Sequence, residues 1–247
     1  MNAPEPLMRA ENVESGYGSL TIVAPTSFTL APGEALAICG PNGSGKSTLL
    51  RTLIGRQTAL SGPTYFADGL LDESRATVRR ALASVFDEDA YFPELTVREH
   101  LEMVAAAHGL TGQDTVDREL EFFDLVPLAN RFPEVLSSGQ RRRFLLSVVF
   151  LRPFGLLVLD EPEQRLDLTM RARLTERLAS LRAEVSPAIS AQPPALLFVT
   201  HDPHLLTSVA TRALYLEDAA AGNGMASSKA VPMTPREAAE RLNRELA

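Results

Sequence analysis

The segment with the clearest chemistry is the glycine-rich stretch GPNGSGKST, which matches the pattern G-x-x-x-x-G-K-[ST]. Its three glycines carry no side chains, so successive backbone N–H groups can curl around the oxygens of a phosphate chain. Lys46 adds a positive charge for the outer phosphates, and the hydroxyl of Ser47 can bind Mg²⁺. The pattern predicts a nucleotide triphosphate site formed by Gly40, Asn42, Gly43, Ser44, Gly45, Lys46, Ser47 and Thr48.

The flanking sequence predicts the elements that position this loop. The apolar run from Ala35 to Cys39 is typical of a strand buried on both faces. The residues from Ser47 to Leu53 favour the start of a helix. The positive N-terminal end of that helix would then face the bound phosphates.

Two carboxylates end a second apolar run, Leu156 to Leu159. Asp160 would orient Mg²⁺, and Glu161 is placed to act as a base toward an attacking water. A third apolar run, Leu196 to Val199, leads directly to Thr200 and His201. The pattern predicts parallel strands with polar residues at their ends.

The segment LSSGQ, which ends at Gln140, lies upstream of the run Leu156 to Leu159. Together, these motifs resemble the nucleotide-binding subunit of ABC transporters, whose signature is L-S-G-G-Q. The resemblance runs from about Met8 to Leu216, with the motifs in the family's order and spacing. It implies ATP and Mg²⁺ as cofactors and ATP hydrolysis as the activity. The implied fold is α/β, a P-loop NTPase core of mainly parallel sheet with an antiparallel β subdomain and an inserted α-helical lobe.

The resemblance also implies roles for individual residues. Tyr17 matches the aromatic that stacks on adenine, and Glu161, His201 and Lys46 match the catalytic set. Asp167 matches a loop that communicates between two subunits. The signature residues would face the terminal phosphate held by a second, identical or homologous, ATPase subunit; they are Ser137, Gly139 and Gln140.

The sequence departs from the family's pattern at several positions. Asp87 stands where the family has a glutamine that contacts Mg²⁺, and no glutamine lies between Gln57 and Gln113. Aspartate is also a hard oxygen donor, so we expect a working metal site with altered Mg²⁺ dependence. The signature has Ser138 in place of glycine, and Glu163 and Gln164 replace small residues before Asp167.

Composition limits the class of protein. The 247 residues are 45% hydrophobic and suffice for one large α/β domain, with or without an inserted lobe. A net charge of −7 argues against a general nucleic-acid binder, so we interpret the arginine run 141–143 as a solvated first helical turn. One cysteine, Cys39, leaves no internal disulfide and fits a reducing compartment as a small buried residue. We find neither a signal peptide nor an apolar stretch of about 20 residues that could span a membrane.

The spacing of apolar residues and the turn signals divide the chain into two regions. We expect residues 1–218 to form the ATPase domain, with a helical lobe over about 88–150, where Val97, Leu101 and Val104 repeat at helical spacing. We expect residues 219–247 to form a mobile loop, from Ala219 to Ser228, and a C-terminal helix. A capping box with Thr234 and Glu237 would begin that helix.

The first functional hypothesis is an ATPase subunit that dimerises around ATP and powers a separate membrane permease. It would sit at the cytoplasmic face of the membrane, with the permease docked between Asp87 and the helical lobe. One alternative is a soluble ABC ATPase in translation or chromosome maintenance; another is an ATP-driven regulator of a membrane complex that moves no solute. The sequence leaves open the transported substrate and the direction of transport.

Overall fold

The computed structural model describes residues 5–86, 91–110, 113–183, 192–219 and 227–246, and all its named strands join in one sheet. In chain order the strands are β1 (Met8–Tyr17), β2 (Leu20–Leu30), β3 (Ala35–Cys39), β4 (Thr64–Phe66), β5 (Gly69–Leu70), β6 (Leu82–Val85), β7 (Leu156–Asp160), β8 (Ala195–Val199), β9 (Arg212–Ala219) and β10 (Ser227–Met233). Across the sheet their order is β5-β4-β1-β2-β10-β9-β3-β8-β7-β6.

The parallel part of the sheet consists of β9, β3, β8, β7 and β6. Every residue of β3, β7 and β8 is buried, because helices cover both faces, and this explains their uninterrupted apolar sequences. Burial raises the pKa of the Cys39 thiol to about 12, which fits a buried structural residue. The carboxyl ends of these three strands lie at one edge of the sheet.

The antiparallel part is continuous with the parallel part. β1 pairs with β2 and β4, and β4 pairs with β5 across a tight turn. β10 connects the two parts, since it pairs antiparallel with β9 and touches β2 through Ser228 and Val23. The predicted P-loop NTPase fold is confirmed, and its antiparallel subdomain shares a sheet with the core.

The helices are α1 (Lys46–Leu53), α2 (Ala76–Ala81), α3 (Val97–Ala107), α4 (Gln113–Phe122), α5 (Ser138–Leu151), α6 (Leu168–Ser180), α7 (Pro203–Val209) and α8 (Pro235–Leu246). The predicted helical lobe contains α3, α4 and α5, which pack on one another around Leu101, Phe123 and Phe144. A capping box between Thr96 and Glu99 begins α3. Among the described residues, no helix is both long enough and apolar enough to cross a membrane.

The prediction of a loop from Ala219 to Ser228 is wrong at both ends. Ala219 ends β9, and Ser227 and Ser228 begin β10. Ser227 pairs with Ala219 across the two antiparallel strands, and this pairing satisfies backbone hydrogen bonds. The small residues of this segment do not predict a strand from their sequence alone. The middle of that loop, 220–226, lies outside the described residues.

The C-terminal helix α8 begins as predicted. The Thr234 backbone N–H donates to Glu237 Oε2 over 2.9 Å, and the Glu237 N–H donates to Thr234 Oγ1 over 3.3 Å. The helix packs against α7 and β9, and it buries Ala238 and Leu242 in the same core as the helical lobe. The separation of residues 219–247 from the ATPase domain stays a prediction.

We expect Leu242→Ala to lower the free energy of unfolding by about 2–5 kcal/mol, because it removes a buried side chain from the core beneath α8. Urea unfolding followed by circular dichroism measures this change. Glu240→Ala is the matched control, since Glu240 lies on the exposed face of the same helix and pairs with exposed Arg236. Equal effects of the two changes would contradict the packing of α8.

Candidate functional site

The glycine-rich loop runs from the end of β3 into α1 with a backbone that only glycine adopts readily. Gly40, Gly43 and Gly45 have φ values of 140°, 82° and 89°. A Cβ atom on Gly45 would lie 2.5 Å from Ile22 Cγ2, and one on Gly40 would lie 2.4 Å from the Leu216 carbonyl oxygen. Conformation and space both require glycine at positions 40 and 45.

Lys46 lies inside this loop. Its Nζ donates hydrogen bonds to the carbonyl oxygens of Pro41, over 2.6 Å, and Gly40, over 3.1 Å. Burial lowers the pKa of Lys46, and the nearby Glu161 and Asp160 carboxylates oppose this effect. Two carbonyl oxygens of the loop therefore hold the ammonium group inside it.

Ser47 and Asp160 meet across 113 residues of sequence. The Ser47 hydroxyl donates to Asp160 Oδ1 over 2.9 Å. Burial raises the pKa of Asp160, while this hydrogen bond opposes the shift. A hydroxyl and a carboxylate beside a phosphate loop are hard oxygen donors of the kind Mg²⁺ prefers, so the two residues fit the expected metal. The third predicted ligand, Asp87, lies outside the described residues.

Glu161 and His201 follow β7 and β8 and face each other. His201 Nε2 lies 3.2 Å from Glu161 Oε1, off the line of a well-aligned hydrogen bond. The His201 ring lowers the pKa of the Glu161 carboxyl, against an opposing effect of burial. Glu161 also has a φ of 47°, which is unusual for a residue with a side chain. The structure thus presents an ionised carboxylate beside the loop.

Tyr17 closes the other side of the loop. Its hydroxyl lies 3.4 Å from Thr48 Oγ1, and its side chain is 55% exposed. A pocket of about 350 Å³ lies between the loop, Tyr17 and Glu161. The exposed ring is available for stacking against a base.

The signature segment forms the start of α5. The Ser137 N–H donates to Gln140 Oε1 over 2.9 Å, and the Gln140 N–H donates to Ser137 Oγ over 3.3 Å, which is a capping box. A Cβ atom on Gly139 would lie 2.6 Å from the carbonyl oxygen of Arg165, so Gly139 brings α5 close to the segment before Asp167. Asp167 caps α6 by accepting from the Met170 N–H over 2.9 Å. None of these residues lines the pocket around Lys46.

The interpretation of the arginine run as a solvated turn is wrong. Arg142 is only 2% exposed, and its Nη2 donates to the carbonyl oxygens of Asp160 and Glu161 over 2.5 and 2.9 Å. Arg143 donates to the Phe123 carbonyl oxygen, and Arg141 lies over the ring of Tyr91. The helical spacing of Arg142 with the buried residues at 146 and 149 is the signal that could have identified its inward face.

Glu163 is a second residue whose place the sequence did not reveal. Its side chain is buried, and Oε1 accepts hydrogen bonds from the Thr200 hydroxyl, over 2.6 Å, and the His201 N–H, over 3.1 Å. Burial raises the pKa of this carboxyl, and the charge of Glu161 adds to the rise. In the sequence it stood out only as a departure from the family's pattern.

Comparisons with known proteins agree with this geometry. Residues 23–164 match the family model described as ABC transporter. The sulfate/thiosulfate import ATP-binding protein CysA of Vibrio cholerae is 34% identical over 203 residues, which are 79% of this chain and 52% of that protein. The chain spans about half the length of the first curated relatives it matches.

Solved structures share the fold. An ATP-binding subunit of an ABC transporter has a TM-score of 0.77 and 24% identity, over 97% of this chain and 99% of that one. The dimeric ATP-binding cassette MJ0796, in a post-hydrolysis state with ADP and Pi, has a TM-score of 0.73 and 21% identity, over 93% and 99%.

The buried carboxyl of Glu163 generates a prediction about pH. Because its pKa is raised in the folded chain from the ordinary 4.5, its contribution to the free energy of unfolding is complete below pH 4.5 and is lost as pH rises through the folded-state pKa. The amide in Glu163→Gln does not titrate. We therefore expect the stability of this variant, relative to the native chain, to increase as pH rises from 4.5.

Urea unfolding at a series of pH values measures this difference. Glu121→Gln is the control, because it changes an exposed carboxylate on α4. If the free energy of unfolding of Glu163→Gln, relative to the native chain, stays constant or falls as pH rises, Glu163 is not a buried carboxyl with a raised pKa.

Proposed function

This chain belongs to the ABC transporter family, and on that basis we propose that it binds ATP with Mg²⁺, hydrolyses it as one half of a paired ATPase, and drives a separate membrane permease. The observation that carries the proposal is the convergence of three strand ends. Lys46 and Ser47 follow β3, Asp160 and Glu161 end β7, and His201 follows β8. These are the groups that phosphoryl transfer to water requires.

The proposed hydrolysis assigns each group a role. Lys46 would exchange its bonds to the Pro41 and Gly40 carbonyls for bonds to the outer phosphates. Ser47 and Asp160 would hold Mg²⁺, which neutralises charge on the phosphates. Glu161 would orient the attacking water and accept its proton, and His201 would contact the terminal phosphate.

The pairing of two chains is supported by the position of the signature segment. Ser137 and Gly139 lie outside the pocket of their own chain, at the start of the 14-residue helix α5. The first-turn N–H groups of such a helix attract an anion. We infer that they face the terminal phosphate bound by a second, identical or homologous, subunit, so that ATP joins the chains and hydrolysis releases them. The cassette MJ0796, which shares the fold, is dimeric.

The proposed site for the permease is a groove between the sheet edge at β6 and the helical lobe. The groove has a volume of about 740 Å³ and is lined by apolar side chains from α3 and α5, together with Arg56, His108 and Arg152. Phe92 and Met103 contribute exposed apolar surface to it, at 57% and 38% exposure. A short amphipathic segment of a membrane protein fits such a groove, and its binding would place this chain at the cytoplasmic face of the membrane.

We expect Glu161→Gln to retain ATP affinity, to lose at least about a hundredfold in kcat, and to accumulate as an ATP-bound dimer. Steady-state ATPase assays, binding of a fluorescent ATP analogue and gel filtration with ATP measure the three effects. Lys46→Ala serves as the contrast, because it should lose affinity for the nucleotide itself. Turnover of Glu161→Gln at the native rate would show that Glu161 is not the base.

We expect the native chain to co-purify with a multi-spanning membrane protein from detergent-solubilised membranes, and Met103→Glu to lose this partner, because a charge in the groove would be desolvated on binding. Leu70→Glu is the control, since Leu70 is also an exposed apolar residue, at 58% exposure, but lies on β5, at the opposite end of the sheet. Recovery of ribosomes or DNA-associated proteins instead would overturn the permease proposal. Vesicle flux assays on the recovered complex then separate transport from regulation without transport.

A further inference from the structure

Glu163 connects the two segments that carry Glu161 and His201. Its own segment follows β7 and contains Glu161, whose carbonyl oxygen accepts from the Gln164 N–H over 3.0 Å. Its carboxyl Oε1 reaches the segment after β8, where it accepts from Thr200 Oγ1 and the His201 N–H. One buried oxygen thus fixes the backbone of His201 relative to the backbone of Glu161.

The contact extends into the start of α7. The Thr200 hydroxyl, which donates to Glu163, accepts from the Asp202 N–H over 3.0 Å. Asp202 then caps α7 by accepting from the N–H groups of His204 and Leu205 over 2.8 and 3.2 Å. Loss of the Glu163 acceptor would leave the buried Thr200 hydroxyl and the His201 N–H without this hydrogen-bond partner. The loss would also affect the connected hydrogen bonds at the start of α7.

From this geometry we propose that Glu163 is a positioning residue for hydrolysis: it holds the His201 ring against Glu161 by accepting hydrogen bonds from both the Thr200 hydroxyl and the His201 backbone N–H. The proposal rests on the ATP hydrolysis proposed above. Glu163 acts through His201 and Glu161 and does not itself touch the nucleotide.

The acceptor, and not a negative charge, performs this role. Glu163 Oε2 is buried and has no hydrogen-bond partner among the described residues. A carboxylate would leave a full charge there, next to the charge of Glu161, which explains why burial raises the pKa of this group. A neutral carboxyl keeps Oε1 as the acceptor, and a glutamine amide presents the same oxygen.

Two variants of similar volume test whether the acceptor oxygen is what matters at position 163. Glu163→Gln keeps the acceptor oxygen, whereas Glu163→Met fills the same space without one. We expect kcat of Glu163→Gln to stay within about twofold of the native chain, and kcat of Glu163→Met to fall on the order of tenfold to a hundredfold at unchanged affinity for a fluorescent ATP analogue. Equal losses in both variants, or a loss confined to ATP affinity, would overturn the proposal.

A double-mutant cycle with His201→Ala tests whether Glu163 acts through the histidine. In the His201→Ala background, Glu163→Met should change kcat by less than about twofold, because the group it positions is absent. Losses that multiply would show that the two residues act independently and would overturn the proposal.

The position of the His201 ring can be measured without ATP hydrolysis, so positioning by Glu163 can be tested separately from the proposed function. The chain has four histidines, so NMR of histidine-labelled protein resolves the His201 ring, which His201→Ala identifies. We expect Glu163→Met to shift or broaden the His201 ring signals and Glu163→Gln to leave them in place. Unchanged signals in Glu163→Met would refute positioning, whereas a native chain that lacks ATPase activity but shows the expected shifts would refute only the proposed hydrolysis.

If Glu163→Met fails to fold, Thr200→Val can be used instead, because it removes the donor of the hydrogen bond to Glu163. It removes the hydroxyl that donates to Glu163 and leaves the His201 N–H bond in place. We expect the same direction of change in kcat and in the His201 signals, with a smaller size. Native kcat and native signals in a folded Thr200→Val chain would count against the proposal.

Discussion

The hydrogen bond from the Ser47 hydroxyl to the Asp160 carboxylate is the contact on which the rest of the site depends. It joins the first residues of α1 to the end of β7, and so it sets the glycine-rich loop against the carboxylates. The contact forms because β3 and β7 flank β8 in a parallel sheet, where all three strands end at the same edge. Buried Arg142 strengthens that edge, since it donates to the carbonyl oxygens of Asp160 and Glu161.

Three carboxyl groups within four residues of sequence have different environments, and their chemistry differs accordingly. Burial raises the pKa of Asp160 and of Glu163, whereas the His201 ring lowers that of Glu161. The carboxyl whose pKa is lowered is thus the one that faces both the histidine and the pocket, as a base toward water must. Glu163, the most enclosed of the three, instead meets a hydroxyl and a backbone N–H. The three residues carry the same functional group, so it is the environment of each carboxyl that gives it a different role.

The sequence predicts those parts of the molecule in which the local pattern and the chemistry coincide. The glycines at 40 and 45 are required by backbone conformation and space, and the runs that become β3, β7 and β8 are apolar because both faces are covered. The start of β10 escapes prediction because Ser227 and Ser228 follow no apolar pattern and become part of a strand through pairing with β9. The roles of Arg142 and Glu163 depend on contacts with residues 18 and 37 positions away. Helical spacing indicates only that Arg142 faces inward, and no local pattern identifies the partners of either residue. Charge counting made the arginine run look solvated, but Arg142 satisfies carbonyl oxygens at the end of a buried strand.

Both halves of the proposed composite site are already ordered in the single chain. In the loop, the Pro41 and Gly40 carbonyl oxygens hold the Lys46 ammonium group by two hydrogen bonds. At the start of α5, the capping box occupies the N–H groups of Ser137 and Gln140 and fixes the helix end. In the proposed dimer, these preformed contacts would reduce the conformational entropy that two chains lose when they associate around ATP. The weakest alignment in the site lies between the His201 ring and Glu161, and in that dimer ATP and the second chain would have to complete it.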